Sequence, residues 1–336
     1  MSEDTNTGSP SWPNNECTLI SQGSPLAAQA AFGPRQSFIV AYDRIATLGK
    51  VARRPSVVVA AVGPHGQVLE ALLVEDRRAL VVGRHTRCGL RLREQPVALR
   101  HLALLVRYDE EAAPVVHLWD LNTGHPFLTE DEQSNAAVIA EGPVYAAIGP
   151  YALWVVPSGG VARKGWPVHA EAAWDMLPQR HFMDRRLPRE LARAPRPPVA
   201  AEHCARDPEH SNITQLGPVL VLDGCDDEMP WGEIRIELAS LKQKNRVSAE
   251  RLEHGVLIGR YERCGIAFRD RLNTVSRVHL LLVRIAGEIW AIDTASTHGL
   301  WRDRRRVDAD VLKNPDQLML GEVAMVCWRR LPLAAA

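Results

Sequence analysis

The residues best suited to chemistry occupy three short segments in the second half of the chain. These segments are Gly259-Arg260, Ser276-Arg277-Val278-His279 and the run from Asp293 to Gly299. A guanidinium offers a planar fork of N–H donors and a hydroxyl offers one more, so together they can bind the oxygens of a phosphoryl group. Two or three charge-assisted bonds of this kind, with further contacts, reach micromolar affinity, about 8 kcal/mol.

An enzyme is one alternative, because the same residue types can form a nucleophile and its base. The nearest serine and histidine are Ser276 and His279, but we find no P-loop, no HExxH and no GxSxG motif beside them. The cysteines form no CxxC pair and lie outside zinc-ligand spacing with histidine. We therefore expect no catalytic residue, no metal and no cofactor.

An internal repeat places these segments in a larger unit. The sequence LVVGRHTRCGLRL at 80–92 matches LIGRYERCGIAF at 257–268, and the residues from Val97 to Leu102 align with those from Val275 to Leu280. Short apolar strands separated by turn residues surround both copies, which is typical of an all-β sandwich or barrel. The chain therefore reads as two copies of one β domain.

Changes in composition divide the chain into four segments. We expect an N-terminal tail that is partly disordered and then forms a short helix, a first β domain, a Pro/Arg/Ala-rich linker with a short helix near Ala170 to Met176, and a second β domain. These segments cover residues 1–54, 55–157, 158–215 and 216–336, respectively.

The order Gly-Arg, then Ser-Arg-x-His, then a loop that ends in glycine resembles the forkhead-associated (FHA) domain family. The resemblance extends over about residues 230–331 and, more weakly, over about 55–157. It implies an all-β fold of two FHA-like β-sandwich domains joined by the linker. The family binds phosphothreonine peptides with loops that cluster at one end of the sandwich.

The resemblance also assigns a role to each residue of the second copy. It implies that Arg260 and Ser276 hold the phosphate, and that Arg277 and Thr297 add contacts. His279 then buttresses the loop. The resemblance further implies that Gly259 and Gly299 permit backbone turns that a side chain would block.

Both copies depart from the family pattern. His298 replaces the asparagine that bonds the peptide backbone, and a neutral imidazole has one donor and one acceptor with a different reach. In the first copy, Ala98 and Leu99 replace the serine and arginine, although Arg84 remains. We expect this copy to be a degenerate FHA domain that packs, dimerises or binds an unphosphorylated partner.

The bulk properties limit the possible partners. The formal net charge is +0 at pH 7, which disfavours nucleic-acid binding through a global positive field. No apolar run reaches the length of a bilayer, and the polar N-terminus carries no visible secretory signal. We therefore expect a cytoplasmic protein with neither nucleic acid nor membrane as a partner.

The function implied by the resemblance is that of a phosphothreonine-binding signalling adaptor. It would act downstream of Ser/Thr protein kinases, and its C-terminal domain would bind Thr-phosphorylated proteins. The alternative is a phosphate-independent scaffold that assembles a complex through its two β-sandwiches. The replacements in the first copy and His298 in the second favour this alternative. A DNA-binding module is less supported, because no helix-turn-helix pattern is visible.

Overall fold

A computed structural model describes most of the chain. The residues it describes are 32–109, 113–158, 166–184, 210–216, 230–238, 241–268 and 274–332. Within them the helices are α1 (Pro34–Val51), α2 (Ala170–Asp175) and α3 (Ala249–His254).

The remaining regular structure is β-strand. The strands of the first half are β1 (Ser56–Val62), β2 (Val68–Glu75), β3 (Ala79–Gly83), β4 (Leu90–Arg91), β5 (Leu102–Tyr108), β6 (Pro114–Asp120), β7 (Phe127–Leu128), β8 (Ser134–Asn135), β9 (Ala137–Glu141), β10 (Val144–Ile148), β11 (Tyr151–Ser158), β12 (Gln179–Asp184) and β13 (His210–Leu216). The strands of the second half are β14 (Gly232–Leu238), β15 (Leu241–Val247), β16 (Val256–Gly259), β17 (Ile266–Ala267), β18 (Leu280–Ile285), β19 (Glu288–Asp293), β20 (Leu300–Arg302), β21 (Arg305–Val307), β22 (Ala309–Leu312), β23 (Asp316–Leu320) and β24 (Ala324–Arg330). The predicted all-β class is confirmed.

Four sheets form two sandwiches. Sheet A has the order β2-β1-β11-β10-β7-β8 and faces sheet B, which has the order β12-β13-β9-β6-β5-β3-β4. Sheet C has the order β15-β14-β24-β23-β20-β21 and faces sheet D, which has the order β17-β16-β18-β19-β22. Each facing pair encloses its own apolar core. In each sandwich a Gly-Arg pair lies at the end of β3 or β16, the second strand from one edge of its sheet, where the loops of the candidate site begin.

Helix α1 covers the outer face of sheet A. Pro34 suits the first turn of a helix, and the apolar spacing of Phe38, Tyr42 and Ile45 gives the helix one buried face. These side chains pack with Trp154 of β11. A helix was expected after the N-terminal tail, but residues 1–31 of that tail lie outside the described residues.

The segment expected to be a linker contributes to the first sandwich. Strand β12 pairs in parallel with β13, and β13 pairs with β9 at the edge of sheet B. Ile213 of β13 is part of the first core, and α2 forms near the position expected for a short helix. The strands QRHFMD and HSNITQL lack a clear apolar alternation, so their pairing depends on the open edge that sheet B offers them.

The two sandwiches pack against each other through sheets B and D. Trp119 and Leu105 of sheet B share a buried cluster with Leu281 and Trp290 of sheet D. Arg77 and Arg107 of the first sandwich bind Glu288 of the second, at 3.6 and 3.4 Å. The same two guanidinium groups lie 5.4 and 5.5 Å from the ring centroid of Trp290. Strands β5 and β18 of the two inner sheets are therefore buried on both faces along most of their length.

Candidate functional site

Arg260 follows β16 and is held at two points. Its backbone N–H donates to the Ser276 carbonyl at 3.3 Å, and its Nε donates to the Val275 carbonyl at 2.9 Å. The residue is exposed, and its terminal nitrogens bond no group within the described residues. These two bonds hold the guanidinium beside Ser276 and leave the outer part of its donor fork available to a ligand.

The Ser276 hydroxyl is oriented by a neighbouring loop. Its oxygen accepts a hydrogen bond of 2.9 Å from the backbone N–H of Thr297. The O–H itself has no acceptor within the described residues, although Ser276 is only 7% exposed. A hydroxyl whose oxygen already accepts a bond can donate its proton to an anion. Thr297 is exposed at the same rim.

His279 joins the two loops through hydrogen bonds from both of its ring nitrogens to backbone groups. Its Nδ1 accepts from the Ser276 backbone N–H at 3.1 Å, and its Nε2 lies 3.0 Å from the Gly299 carbonyl. Burial lowers the pKa of His279 to about 4, against a smaller raising effect of the Gly299 bond. The ring is therefore neutral near pH 7, with its proton on Nε2. Because it bonds the backbone of Ser276, it forms no serine–histidine nucleophile pair.

Two glycines allow the loops to meet. A Cβ on Gly259 would lie 2.2 Å from the Arg277 carbonyl oxygen, which is closer than any side chain can approach. Gly299 adopts φ +81, a left-handed conformation that favours glycine. Its backbone N–H donates to the Ser296 hydroxyl at 2.9 Å. Glycine is therefore needed at position 259 because there is no room for a Cβ, and it is favoured at position 299 because of the backbone conformation.

Arg277 and His298 complete the set of predicted site residues. The Arg277 side chain is exposed and bonds no described residue, while its carbonyl accepts from the Tyr261 N–H at 3.0 Å. His298 is exposed, but its Nδ1 lies 2.7 Å from the Thr274 carbonyl. One ring nitrogen therefore bonds the neighbouring loop, and Nε2 bonds no described residue. The structure brings all five predicted binding residues to one end of the second sandwich.

The same bonds recur in the first copy. Arg84 Nε donates to the Val97 carbonyl at 2.5 Å, as Arg260 does to its counterpart. The Ala98 N–H donates to His101 Nδ1 at 3.1 Å, and Nε2 of this ring lies 2.8 Å from the His125 carbonyl. The first copy therefore keeps the framework of the site. It lacks the hydroxyl, because alanine occupies the position of Ser276.

The repeated cysteines belong to this framework. The Cys88 thiol donates to the Leu99 carbonyl at 3.4 Å, and the Cys264 thiol to the Arg277 carbonyl at 3.3 Å. Burial raises the pKa of Cys88 to about 11 and that of Cys264 to about 12. Both thiols remain protonated near neutral pH, so they support the loops and are poor nucleophiles.

Sequence reasoning missed the contacts that join the two copies near the site. Arg100 of the first copy donates from Nε and Nη2 to the Ala295 carbonyl, at 3.1 and 2.9 Å. Asn122 donates from its side chain to the Arg263 carbonyl at 2.6 Å. In the repeat alignment, arginine at position 100 corresponds to Val278. That difference was the available signal, since a charged side chain replaces an apolar one beside an otherwise shared motif.

The FHA domain family model matches residues 256–321, from β16 to the turn after β23. The resemblance predicted for the second copy is therefore confirmed, and the assignment of the first copy stays a prediction. No curated protein matches the chain.

Solved FHA domains are similar to about a third of the chain. The FHA-1 domain of Mycobacterium tuberculosis Rv1747 has 21% identity and a TM-score of 0.25, over 30% of this chain and 99% of that chain. The FHA domain of CT664 from Chlamydia trachomatis has 11% identity and a TM-score of 0.27, over 31% and 99%. The yeast Dun1 FHA domain, solved with a doubly phosphorylated peptide derived from Rad53, has 17% identity and a TM-score of 0.26, over 33% and 81%.

Proposed function

We propose that the chain is a non-enzymatic adaptor that binds phosphothreonine peptides through its C-terminal FHA domain. The observation that carries this proposal is the arrangement of Arg260 beside Ser276. The outer nitrogens of the Arg260 guanidinium bond no described residue, and Arg260 is anchored to the backbone of Val275 and Ser276. The Ser276 hydroxyl proton has no acceptor within the described residues. A phosphoryl group, with nearly two negative charges and three acceptor oxygens, satisfies both.

The remaining predicted residues would contact the peptide around the phosphate. Arg277 follows Ser276 in the chain, the Thr297 N–H bonds the Ser276 hydroxyl, and both residues are exposed, so they are available for further hydrogen bonds. His298 would bond the peptide backbone through Nε2, since Nδ1 is used by Thr274. Partners would be Thr-phosphorylated proteins, and the adaptor would therefore act downstream of Ser/Thr kinases.

The proposed location is the cytoplasm, where such kinases and their substrates meet. Within the described part of the chain, no helix combines the length and apolar character needed to span a membrane. We propose no nucleic-acid partner, because a formal net charge of +0 provides no global positive field for binding nucleic acid.

A binding measurement with two matched variants tests the proposal. A phosphothreonine peptide array would first identify a ligand for the full chain. Its affinity would then be compared for wild type, Arg260→Ala and Arg84→Ala, because the two arginines have the same backbone anchor in the two copies. We expect binding to be lost in Arg260→Ala, retained in Arg84→Ala, and absent for the unphosphorylated peptide. Loss of binding in Arg84→Ala alone would assign the site to the first copy and contradict the proposal.

A phosphate-independent scaffold is the second candidate, and it is favoured by one feature of the first copy. Ala98 provides no hydroxyl at the position of Ser276, although the surrounding bonds are kept. A scaffold would retain a cellular partner after phosphatase treatment of that partner. A phosphothreonine adaptor would lose it.

A further inference from the structure

The first copy reaches into the loop that carries Thr297 and His298. Arg100 is half-buried, and its Nε and Nη2 both donate to the carbonyl of Ala295, two residues before Thr297. Ala295 has φ +57, so this loop begins with a left-handed residue whose carbonyl is fixed by a side chain of the other sandwich. We call Arg260 and Ser276 with their loops the phosphate cradle. A side chain of the first sandwich therefore contacts the end of the second sandwich that holds this cradle.

A group of arginines surrounds this junction, and we call it the arginine cluster. Its members are Arg87, Arg91, Arg100 and Arg277. None of them forms an ion pair with a described residue.

The charges of the cluster act on one another across the two copies. Burial lowers the pKa of Arg100, Asp293 opposes this effect, and the charges of Arg277 and Arg87 lower it further. Burial also lowers the pKa of His85, and its neighbours Arg100, Arg87 and Arg91 act in the same direction. Arg100 bonds the loop that leads to Thr297, and Arg277 directly follows Ser276 in the chain, so arginines of both copies lie near the candidate phosphate site.

The position of Arg87 explains how the first copy can present charge to a ligand of the second. Its neighbour Cys88 is buried in the cluster between sheets B and D, together with Cys264 of the loop that follows Arg260. Arg87 itself is exposed, and its guanidinium bonds no described residue. The Arg87 side chain therefore projects from a loop that is anchored at the interface, and its charge has no ion-pair partner among the described residues.

We propose that the first copy is a working part of the phosphopeptide site, and that its arginines select peptides with a second anionic side chain near the phosphothreonine. This inference rests on the proposed function and adds a preference to it. The second group can be a carboxylate or another phosphoryl group, since a guanidinium pairs with either. An exposed pair of this kind changes affinity by about two- to fivefold, and the effect weakens as salt increases.

The test uses the full chain and three phosphothreonine peptides. They share one backbone sequence, and the residues beside the phosphothreonine are glutamine, glutamate or phosphoserine. The variants are Arg87→Ala with Arg91→Ala, and as a matched control Arg78→Ala. Arg78 is exposed, has no ion pair within the described residues, and precedes β3 at the end opposite the site.

We expect wild type and Arg78→Ala to bind the glutamate or phosphoserine peptide several-fold more tightly than the glutamine peptide at low salt. In the double variant this preference should largely disappear, because the two anionic peptides should lose several-fold more affinity than the glutamine peptide does. Comparison of the two anionic peptides shows which group the cluster prefers. Equal affinity of wild type for all three peptides would overturn the inference and leave the proposed function intact, as would an unchanged preference in the double variant. Failure of wild type to bind any phosphothreonine peptide would remove the proposed function itself.

Discussion

Replacing Ser276 by alanine tests the role of a single hydroxyl. The substitution reproduces the residue that the first copy has at position 98, within the same set of backbone bonds. A hydrogen bond to a charged group contributes about 1.5–3 kcal/mol. Its loss should therefore raise the Kd for a phosphothreonine peptide by about 10- to 150-fold.

The cost of Ser276→Ala to folding should be smaller than its cost to binding. The Thr297 N–H loses its acceptor, but Thr297 is exposed, so water can replace the hydroxyl. We expect the free energy of unfolding to fall by about 0.5–1.5 kcal/mol. Denaturant unfolding of the full chain measures this change, and fluorescence anisotropy with a labelled peptide measures the Kd.

Ser296→Ala is the matched control for this prediction. The Ser296 oxygen also accepts a 2.9 Å bond, from Gly299, but its own O–H donates to Asp293. All of its hydrogen bonds are internal, so its loss should reduce stability by about 1–3 kcal/mol and affect binding less than Ser276→Ala does. The reasoning is refuted if folded Ser276→Ala binds within about twofold of wild type, since the lost bond would then contribute under about 0.5 kcal/mol.

Three further predictions concern the framework. Burial lowers the pKa of His117 to about 3. Below about pH 6.5 the unfolded chain therefore binds a proton that the folded chain does not. The free energy of unfolding should then fall by up to about 1.4 kcal/mol for each pH unit. Denaturant unfolding between pH 7 and about pH 4 should show a shallower decline for His117→Gln, and an identical slope would contradict this. Trp290→Ala should lower the free energy of unfolding by about 3–5 kcal/mol, because the ring is buried between the sandwiches; a loss below about 1 kcal/mol would show that this interface contributes little. Cys88 and Cys264 should resist alkylation at neutral pH until denaturant is added, because burial raises the pKa of both thiols. Mass spectrometry of digested peptides measures the extent of alkylation. Rapid labelling of either cysteine in the native protein would refute the prediction.

Much of the site followed from the sequence because its signals are local. The Gly-Arg pair ends a strand in both copies, and the segments from Val97 and Val275 align with a histidine at the same offset. The structure gives the two histidines the same partners, a backbone N–H three residues earlier and a loop carbonyl. A motif of this kind is readable because each bond depends on residues at fixed spacing.

The segment 158–215 shows where local reading fails. Its Pro, Arg and Ala content favours a linker, but β13 pairs with β9 and adds Ile213 to the first core. Strands without apolar alternation form there because sheet B offers an unpaired edge. That edge is formed by β9, which lies about seventy residues earlier in the chain, so the local pattern of the segment does not reveal it.

By itself, the sequence determined the all-β class and the FHA resemblance of the second copy. It also predicted a repeat and the residues that would hold a phosphate, and both stay predictions. Only the tertiary structure decided that sheets B and D pack together and that Arg100 fixes the Ala295 carbonyl. The uninterrupted apolar segments LALLV of β5 and LLLV of β18 are buried on both faces. Their sequence pattern does not indicate which part of the protein covers the face that points away from the sandwich core. The physical reason is the separation of the interacting residues along the chain. Turns and the alternation of apolar and polar residues depend on near neighbours in the sequence. Packing between the sandwiches joins residues that are 195 positions apart, such as Arg100 and Ala295.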